Sequence, residues 1–258
     1  MNAKTEGAIL DFANAAILIG AGFLGGIMNA LAGGATLLTF PAMLLVGLPP
    51  VVATASNALA VTPGHTMAAI ADRTMVPRDR SVVVGLLLTT IGGLLGALLL
   101  LATSERFFTL LVPALIAAAT ILFGLGPRLQ KIIAHRFNAT GARSGLLLPV
   151  SIYGGYFGAG LGVMLLALLT LTGTEPLRAL NALKNLYATV AALAGVVIFA
   201  LSGTIDWPST LVMLVGALAG GFAGGKLVGV LPSSAVRAAI VMLGSFMTLV
   251  YAWRFWFA

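Results

Sequence analysis

The sequence predicts an all-α integral membrane protein: two inverted five-segment repeats whose glycine-broken helices meet near the membrane midplane. Three observations carry this reading. Of the 258 residues, 60% are hydrophobic and 8% are charged, with a mean hydropathy of +1.09, whereas a soluble domain carries about 25% charged residues. The apolar runs are continuous rather than alternating, which favours helices over barrel strands, and several approach or exceed the ~18 residues that mark a span. The chain also repeats itself. Gly25 to Asn57 reads GGIMNALAGGATLLTFPAMLLVGLPPVVATASN, and Gly154 to Asn185 reads GGYFGAGLGVMLLALLTLTGTEPLRALNALKN. Gly34/Gly160, Gly47/Gly173, Pro50/Pro176 and Ala53/Ala179 share an offset of 126; Gly92/Gly220, Gly93/Gly221 and Gly96/Gly224 share one of 128.

The elements follow in order. Ala8 to Leu31 is long enough to cross, and the N-terminus is expected to stay as this first span. Lys4 is followed by Glu6 and Asp11, and the run continues into the motif, unlike a cleaved leader. Gly33-Gly34 breaks the run, and Ala35 to Val46 is short. Gly47-Leu48-Pro49-Pro50 turns, with Pro50 suited to a first helical turn, and Val51 to Ala71 follows. Ser81 to Ala102 carries Gly92, Gly93 and Gly96, small residues that let helices approach closely in lipid. Phe107 to Leu125 crosses back. Pro127 to Arg143 is the one long polar stretch and divides the chain into repeats 1–126 and 144–258. The second half is Ser144–Gly158, Leu161–Leu171, Leu177–Leu201, Pro208–Val230 and Ser234 onward, with Tyr251, Trp253 and Trp256 read as an interfacial anchor.

Five segments per half is an odd number, so the second half enters from the opposite side. Alternate counting gathers Asp72–Arg80, Pro127–Arg143, Gly173–Arg178 and Leu231–Arg237 on one side, together with most of the lysines and arginines. The positive-inside rule makes that side cytoplasmic and puts both termini outside. The net charge of +7 is explained the same way, so no nucleic acid is expected. There is no cysteine, and His65 and His135 form no metal spacing. No catalytic triad, Walker loop or metal site is legible, so neither an enzyme nor a cofactor is expected.

These residues resemble the TauE/SafE sulfite exporter family of bacterial membrane proteins. The likeness lies in ALAGGATLLTFPAMLLVGLPP, the following ATASNALA, the weaker copy GGYFGAGLGVMLLALLTLTGTEP, and GTIDWPS near Asp206, and it covers almost the whole chain. The second break departs from the pattern, its glycine cluster thinned to Gly158-Ala159-Gly160-Leu161-Gly162. The resemblance implies a transporter of the bacterial inner membrane that exports organosulfonates such as sulfoacetate, sulfite or related small anions.

The residues themselves point to an anion site. Paired, glycine-broken segments at matching places in a duplicated unit are the sequence pointer to a transporter's binding site. The helices after the two breaks present N-terminal N–H groups and positive dipole ends. The candidate substrate-binding residues are Gly33, Gly34, Ala35, Thr36 and Asn57 in the first half, and Gly160, Leu161, Gly162, Asn181, Lys184 and Asn185 in the second. The alternative is that the glycines serve only close packing. Lys184, two turns inside its segment, is a functional candidate as an intramembrane ammonium or snorkels to the interface. Asn57 pairs best with Asn181 or Asn185. His65 carries a coupling proton or packs helices through a hydrogen bond. Asp206 reads as a turn, and Arg178 as a surface partner of Glu175. The expected partners are a small anionic substrate and the lipid bilayer, with a homodimer admissible. The competing functions are an anion channel and a non-catalytic membrane-embedded assembly factor.

Overall fold

The computed structural model describes residues 11–31, 33–134, 142–172, 175–227 and 233–257. Ten α-helices account for nearly all of them: α1 Phe12–Leu31, α2 Thr36–Leu45, α3 Pro50–Ala71, α4 Arg80–Ala102, α5 Glu105–Ala134, α6 Ala142–Tyr156, α7 Leu161–Thr172, α8 Leu177–Leu201, α9 Trp207–Leu227 and α10 Ser233–Ala252. A 3₁₀ turn spans Arg73–Met75, and a π turn at Trp253–Phe257 ends the described chain. No strand occurs among the described residues. Six stretches among the described residues are long and apolar enough to cross a membrane: five lie within α1, α4, α5, α8 and α9, and the sixth, Ser234–Phe257, runs from α10 through the π turn. The 22-residue α3 is not among them; its length is given to Thr54, Ser56, Asn57, Thr62, His65 and Thr66.

Local chemistry sets these boundaries. The carboxylate of Asp11 accepts the Asn14 N–H at 2.7 Å, Asp79 accepts that of Val82 at 3.0 Å, and Asp206 accepts that of Ser209 at 3.0 Å. Each caps the helix that follows it. Pro49 and Pro176 stand before α3 and α8 with nearly identical dihedrals, φ/ψ −57/145° and −56/144°. Hydroxyls inside the helices turn back on the carbonyl four residues earlier, as Thr54, Thr62, Thr89, Thr120 and Ser151 do. That leaves few unpaired donors where water is scarce.

The two breaks are built alike. Gly33 takes φ +78° and donates its N–H to the carbonyl of Met28 at 3.1 Å; Gly158 takes φ +77° and donates to that of Tyr153 at 3.2 Å. Each is an i→i−5 bond that closes the helix in a wide last turn, and glycine suits the position because it reaches positive φ without strain. Both stops precede the next helix start by three residues, an offset of 125. The capping prolines and the capping aspartates Asp79/Asp206 stand 127 apart, because α7 has 12 residues and α2 has 10. The repeat's offset therefore drifts along the chain.

The halves pack on each other through matching pairs. α1 lies along α9 as α6 lies along α4, while α3 meets α8 and α5 meets α10. The match holds at single residues. A Cβ on Gly92 would run into Ser151 at 2.5 Å, and one on Gly96 into the Ile152 carbonyl. At the other seam, Gly220 is pressed on the Phe23 backbone and Gly224 on Ile27, whose Cα a Cβ would meet at 2.8 Å. Ile27 and Ile152 are 125 positions apart, and Gly96 and Gly224 are 128 apart. Close backbone approach is how helices gain dispersion energy in lipid, where burial of apolar area gives no drive.

Three expectations change. The polar stretch from Pro127 begins as helix, since α5 runs to Ala134; residues 135–141, including His135, lie outside the described chain. Tyr251 is no interfacial anchor. It is fully buried, and its hydroxyl donates to the Pro41 carbonyl at 2.9 Å. The exposed Trp253 and Trp256 keep the rim position, Trp256 donating from Nε1 to the Leu110 carbonyl. Asp206 does more than turn the chain: its N–H donates to the Ser56 hydroxyl at 2.9 Å, tying α9 to α3.

Neighbouring glycines on α9 should behave in opposite ways. Gly220→Ala forces a methyl into the Phe23 backbone and should destabilise by about 1–3 kcal/mol, the usual cost of overpacking. A Cβ on Gly221 meets nothing within 4 Å, so Gly221→Ala should lie within about 0.5 kcal/mol of the parent. Thermal unfolding of both variants in the same detergent measures the contrast.

Candidate functional site

Thr54, Asn57, Thr62 and His65 of α3 and Arg178, Asn181, Lys184 and Asn185 of α8 face cavities. α3 carries Thr54, Asn57, Ala58, Val61, Thr62 and His65 to the wall of a deep, narrow pocket of about 40 Å³. Gly158, Leu161 and Phe157 close it from the second break, and Thr36 from the first. That is room for a few waters or a small ion. The Thr39 hydroxyl donates to Asn57 Oδ1 at 2.5 Å, and Asn57 Nδ2 reaches the Thr36 hydroxyl at 3.5 Å. Asn57, 2% exposed, is thus held by the first turn of α2, with its amide donors turned to the start of that helix.

His65 is shared with a second, larger cavity of about 660 Å³. Its walls include Asn29, Gly33, Asp72, Phe123 and Gly162, with Arg178, Asn181, Lys184 and Asn185 of α8 and Arg237 of α10. Arg237 is braced: its guanidinium lies 5.7 Å from the centre of the Phe123 ring, and Nη1 donates to the Phe123 carbonyl at 3.5 Å. Among the described residues three cations face one carboxylate in this vestibule, so its field favours anions. Asp72, Arg178 and Arg237 come from three of the four stretches that carry most of the positive charge in the sequence, Gly126 directly precedes the fourth, and all line this one cavity.

The opposite end is shut. The Val51 N–H donates to the Glu105 carboxylate at 3.2 Å, and the Thr103 and Tyr156 hydroxyls pair at 3.4 Å. Beneath them Phe40 meets Phe157 edge-on at 5.2 Å, and Phe108 meets Tyr156 at 5.6 Å. Polar clasps over packed rings leave the cavities leading toward the arginine-rich end.

The predicted residues divide by position. Gly33, Gly162, Asn181, Lys184 and Asn185 line the vestibule; Thr36, Asn57 and Leu161 line the deep pocket; His65 lines both. Gly34 points elsewhere: a Cβ there would press on Phe123 at 3.1 Å and Ile240 at 3.2 Å. Gly160 faces Ala119, and Ala35 borders a separate lateral groove. Fewer N–H groups stand free at the breaks than a bare helix start offers, because Leu37 donates to the Gly34 carbonyl, Leu161 to that of Gly158, and Val163 to that of Gly160. Thr189 donates to the Asn185 carbonyl and lines neither cavity. The 127-residue offset of α3 and α8 makes Lys184 the counterpart of Asn57, and Asn181 that of Thr54. The two halves thus offer an ammonium and an amide at equivalent places, rather than a pair of asparagines.

Sequence reasoning missed Asn29, Asp72, Arg178 and Arg237 as wall residues. Their positions at helix ends read as topology signals, and the positive-inside rule accounts for such arginines without any cavity. The same end-of-helix placement, facing a broken neighbour, was the signal that could have found them.

The sequence matches the family described as sulfite exporter TauE/SafE over residues 18–251. It is 32% identical over 243 residues to a probable membrane transporter protein of Haemophilus influenzae, covering 90% of this chain and 92% of the relative. It is 30% identical over 236 residues to the probable membrane transporter protein YfcA of Escherichia coli K12, covering 90% and 87%. A probable membrane transporter protein ORF9 of a Sinorhizobium species is 30% identical over 223 residues, covering 84% of each. No solved structure matches.

The chain is naturally free of cysteine, so single cysteines report access directly. Asn181→Cys and Gly162→Cys should react with a negatively charged methanethiosulfonate faster than with a positively charged one of similar size, and Phe157→Cys with neither. Stopped-flow labelling in proteoliposomes checks both the polarity of the vestibule and the closed far end.

Proposed function

Because the chain belongs to the sulfite exporter TauE/SafE family and is a multi-pass membrane transporter, we propose that it exports a small sulfur-containing anion, an organosulfonate or sulfite, from the cytoplasm across the bacterial inner membrane. The observation that carries this reading is the vestibule in which, among the described residues, Arg178, Lys184 and Arg237 face one carboxylate, Asp72. A sulfonate or sulfite head is compact, with oxygens turned in several directions. It suits point-charge and amide donors such as Lys184, Asn181 and Asn57 as well as a planar fork.

In this reading the two halves are inverted in the membrane and both termini are outside. The arginine-rich end is cytoplasmic, in keeping with the positive-inside rule. The anion enters the vestibule, exchanges water for Lys184 and the asparagines, and passes His65 to the start of α2. The shortness of α2 and α7 supports a site at mid-depth: 10 and 12 residues extend about 15–18 Å, roughly half the hydrocarbon core. Export then requires the clasps at Glu105 and Tyr156 to open while the vestibule closes. A site reached from one end at a time speaks for a carrier over a channel, which needs a continuous wet path.

Proteoliposomes with the arginine-rich end facing the loaded lumen test the proposal. Efflux of labelled ethanesulfonate or sulfite should saturate with concentration, and Lys184→Gln should weaken apparent affinity by about tenfold or more, the size of a lost charged hydrogen bond. Lys184→Arg should restore it only in part. Efflux that rises without saturation and carries current would support a channel instead, and unchanged affinity in the glutamine variant would remove Lys184 from the site. Thr36→Ala should cost about 1 kcal/mol of binding. Cysteines at the Asp72–Arg80 connection that are labelled only from the outside would overturn the orientation.

A further inference from the structure

The pseudo-two-fold fails at one seam, and the failure opens a third cavity. Where α4 meets α8 the helices are in contact: a Cβ on Gly93 would strike the Ala191 backbone, its Cα 3.0 Å away. The counterparts of these two residues, 128 and 127 positions away, are Gly221 on α9 and Gly64 on α3. Here the seam is parted. A Cβ on Gly221 meets nothing within 4 Å, and neither does one on Gly225. Both glycines and Gly64 line a groove of about 560 Å³ between α1, α3 and α9.

The groove is apolar along most of its wall, with Val61, Pro63, Met67, Ala217, Leu218 and Phe222. Met67 and Phe222 are largely exposed on the lateral surface, so it opens toward the bilayer. Its other end is not apolar. Asn29, Ala30, Gly64, Ala68 and Asp72 line both this groove and the cationic vestibule. The two cavities therefore adjoin along this row, where the Asn29 side chain lies against Gly64 between α1 and α3, and three cations stand beside an apolar trough of ligand size. The carboxylate of Asp72 at the junction discourages an anion from resting there and favours a head placed further in, beside Lys184 and Arg178.

We infer that this site takes amphiphilic anions, with the charged head in the vestibule and an alkyl tail laid in the groove between α3 and α9. The inference rests on the anion-transport reading above and extends it from compact anions to those bearing a short aliphatic chain. Burial of each methylene in the groove then adds to the affinity set by the head, about fourfold per methylene until the trough is full.

The test is calorimetric titration of the full chain in nanodiscs with ethane-, butane-, hexane- and octanesulfonate below their micelle concentrations, with empty nanodiscs subtracted. The expected result is affinity rising about fourfold per methylene in the parent protein. A Cβ at position 221 meets nothing within 4 Å, so Gly221→Leu can extend its side chain into the trough, and the dependence on length should flatten while ethanesulfonate binds as before. Lys184→Gln should weaken all four ligands in the same proportion. A flat series in the parent would mean that a bilayer lipid holds the groove and would overturn the inference, as would an equally steep series in Gly221→Leu. A change of oligomeric state in Gly221→Leu on sedimentation would assign the groove to a second copy and overturn it too. If ethanesulfonate itself fails to bind, or binds regardless of Lys184→Gln, the anion-site reading fails rather than the groove.

Discussion

The bonds from Gly33 to Met28 and from Gly158 to Tyr153 are what the rest of this architecture depends on. A helix that stops inside a bilayer exposes carbonyls and N–H groups to a medium that cannot hydrate them. The two stops return the orphan groups to the chain itself, and the following residues bond within the turn before α2 and α7 begin. The backbone can then break inside the bundle, and short helices can start there. Without the stops, α1 and α6 would have to run on, and the space now occupied by the vestibule and the deep pocket would be filled by packed helix.

Given such stops, the remaining structure divides labour between seams and cavities. Gly92, Gly96, Gly220 and Gly224 bring backbones into contact along two equivalent seams, a rigid frame held by dispersion rather than by apolar burial. Many hydroxyls inside the frame bond their own helices, while those of Ser56 and Tyr251 tie neighbouring segments together. The polar groups that do not turn back on the backbone, Asn57, His65, Asn181, Lys184 and Asn185, face the cavities. A transporter needs this combination: elements stiff enough to move as bodies, and a few hydratable groups where the substrate must shed water.

The two halves have diverged in their chemistry while keeping their geometry. Equivalent places carry Asn57 and Lys184, Thr54 and Asn181, Ala58 and Asn185. Lys184 brings its ammonium to the vestibule while Asn57 brings a neutral donor to the deep pocket, so the equivalent places carry one attractive charge and one amide. The rings of Phe40, Phe157 and Phe108 at the closed end face a hydrated, cationic opposite end.

The sequence by itself determined the helical membrane class, the positions of both breaks, nine of the ten helix starts within about three residues, and the family, because hydropathy, glycine and proline act locally and leave their mark in consecutive residues. It also picked out Thr36, Asn57, His65, Lys184 and both candidate asparagines of α8, since polar side chains in an apolar run stand out. Only the tertiary structure decided which of these share a wall. Gly34 and Gly160 look like site residues in a motif, yet they face Phe123 and Ala119, because the direction of a residue in a turn depends on dihedrals and not on spacing. The pairing of Asn57 with Lys184 needed the two-residue difference between α2 and α7. Arg178 and Arg237 became vestibule residues only when helices distant in sequence brought their ends together, a long-range contact that no local pattern encodes.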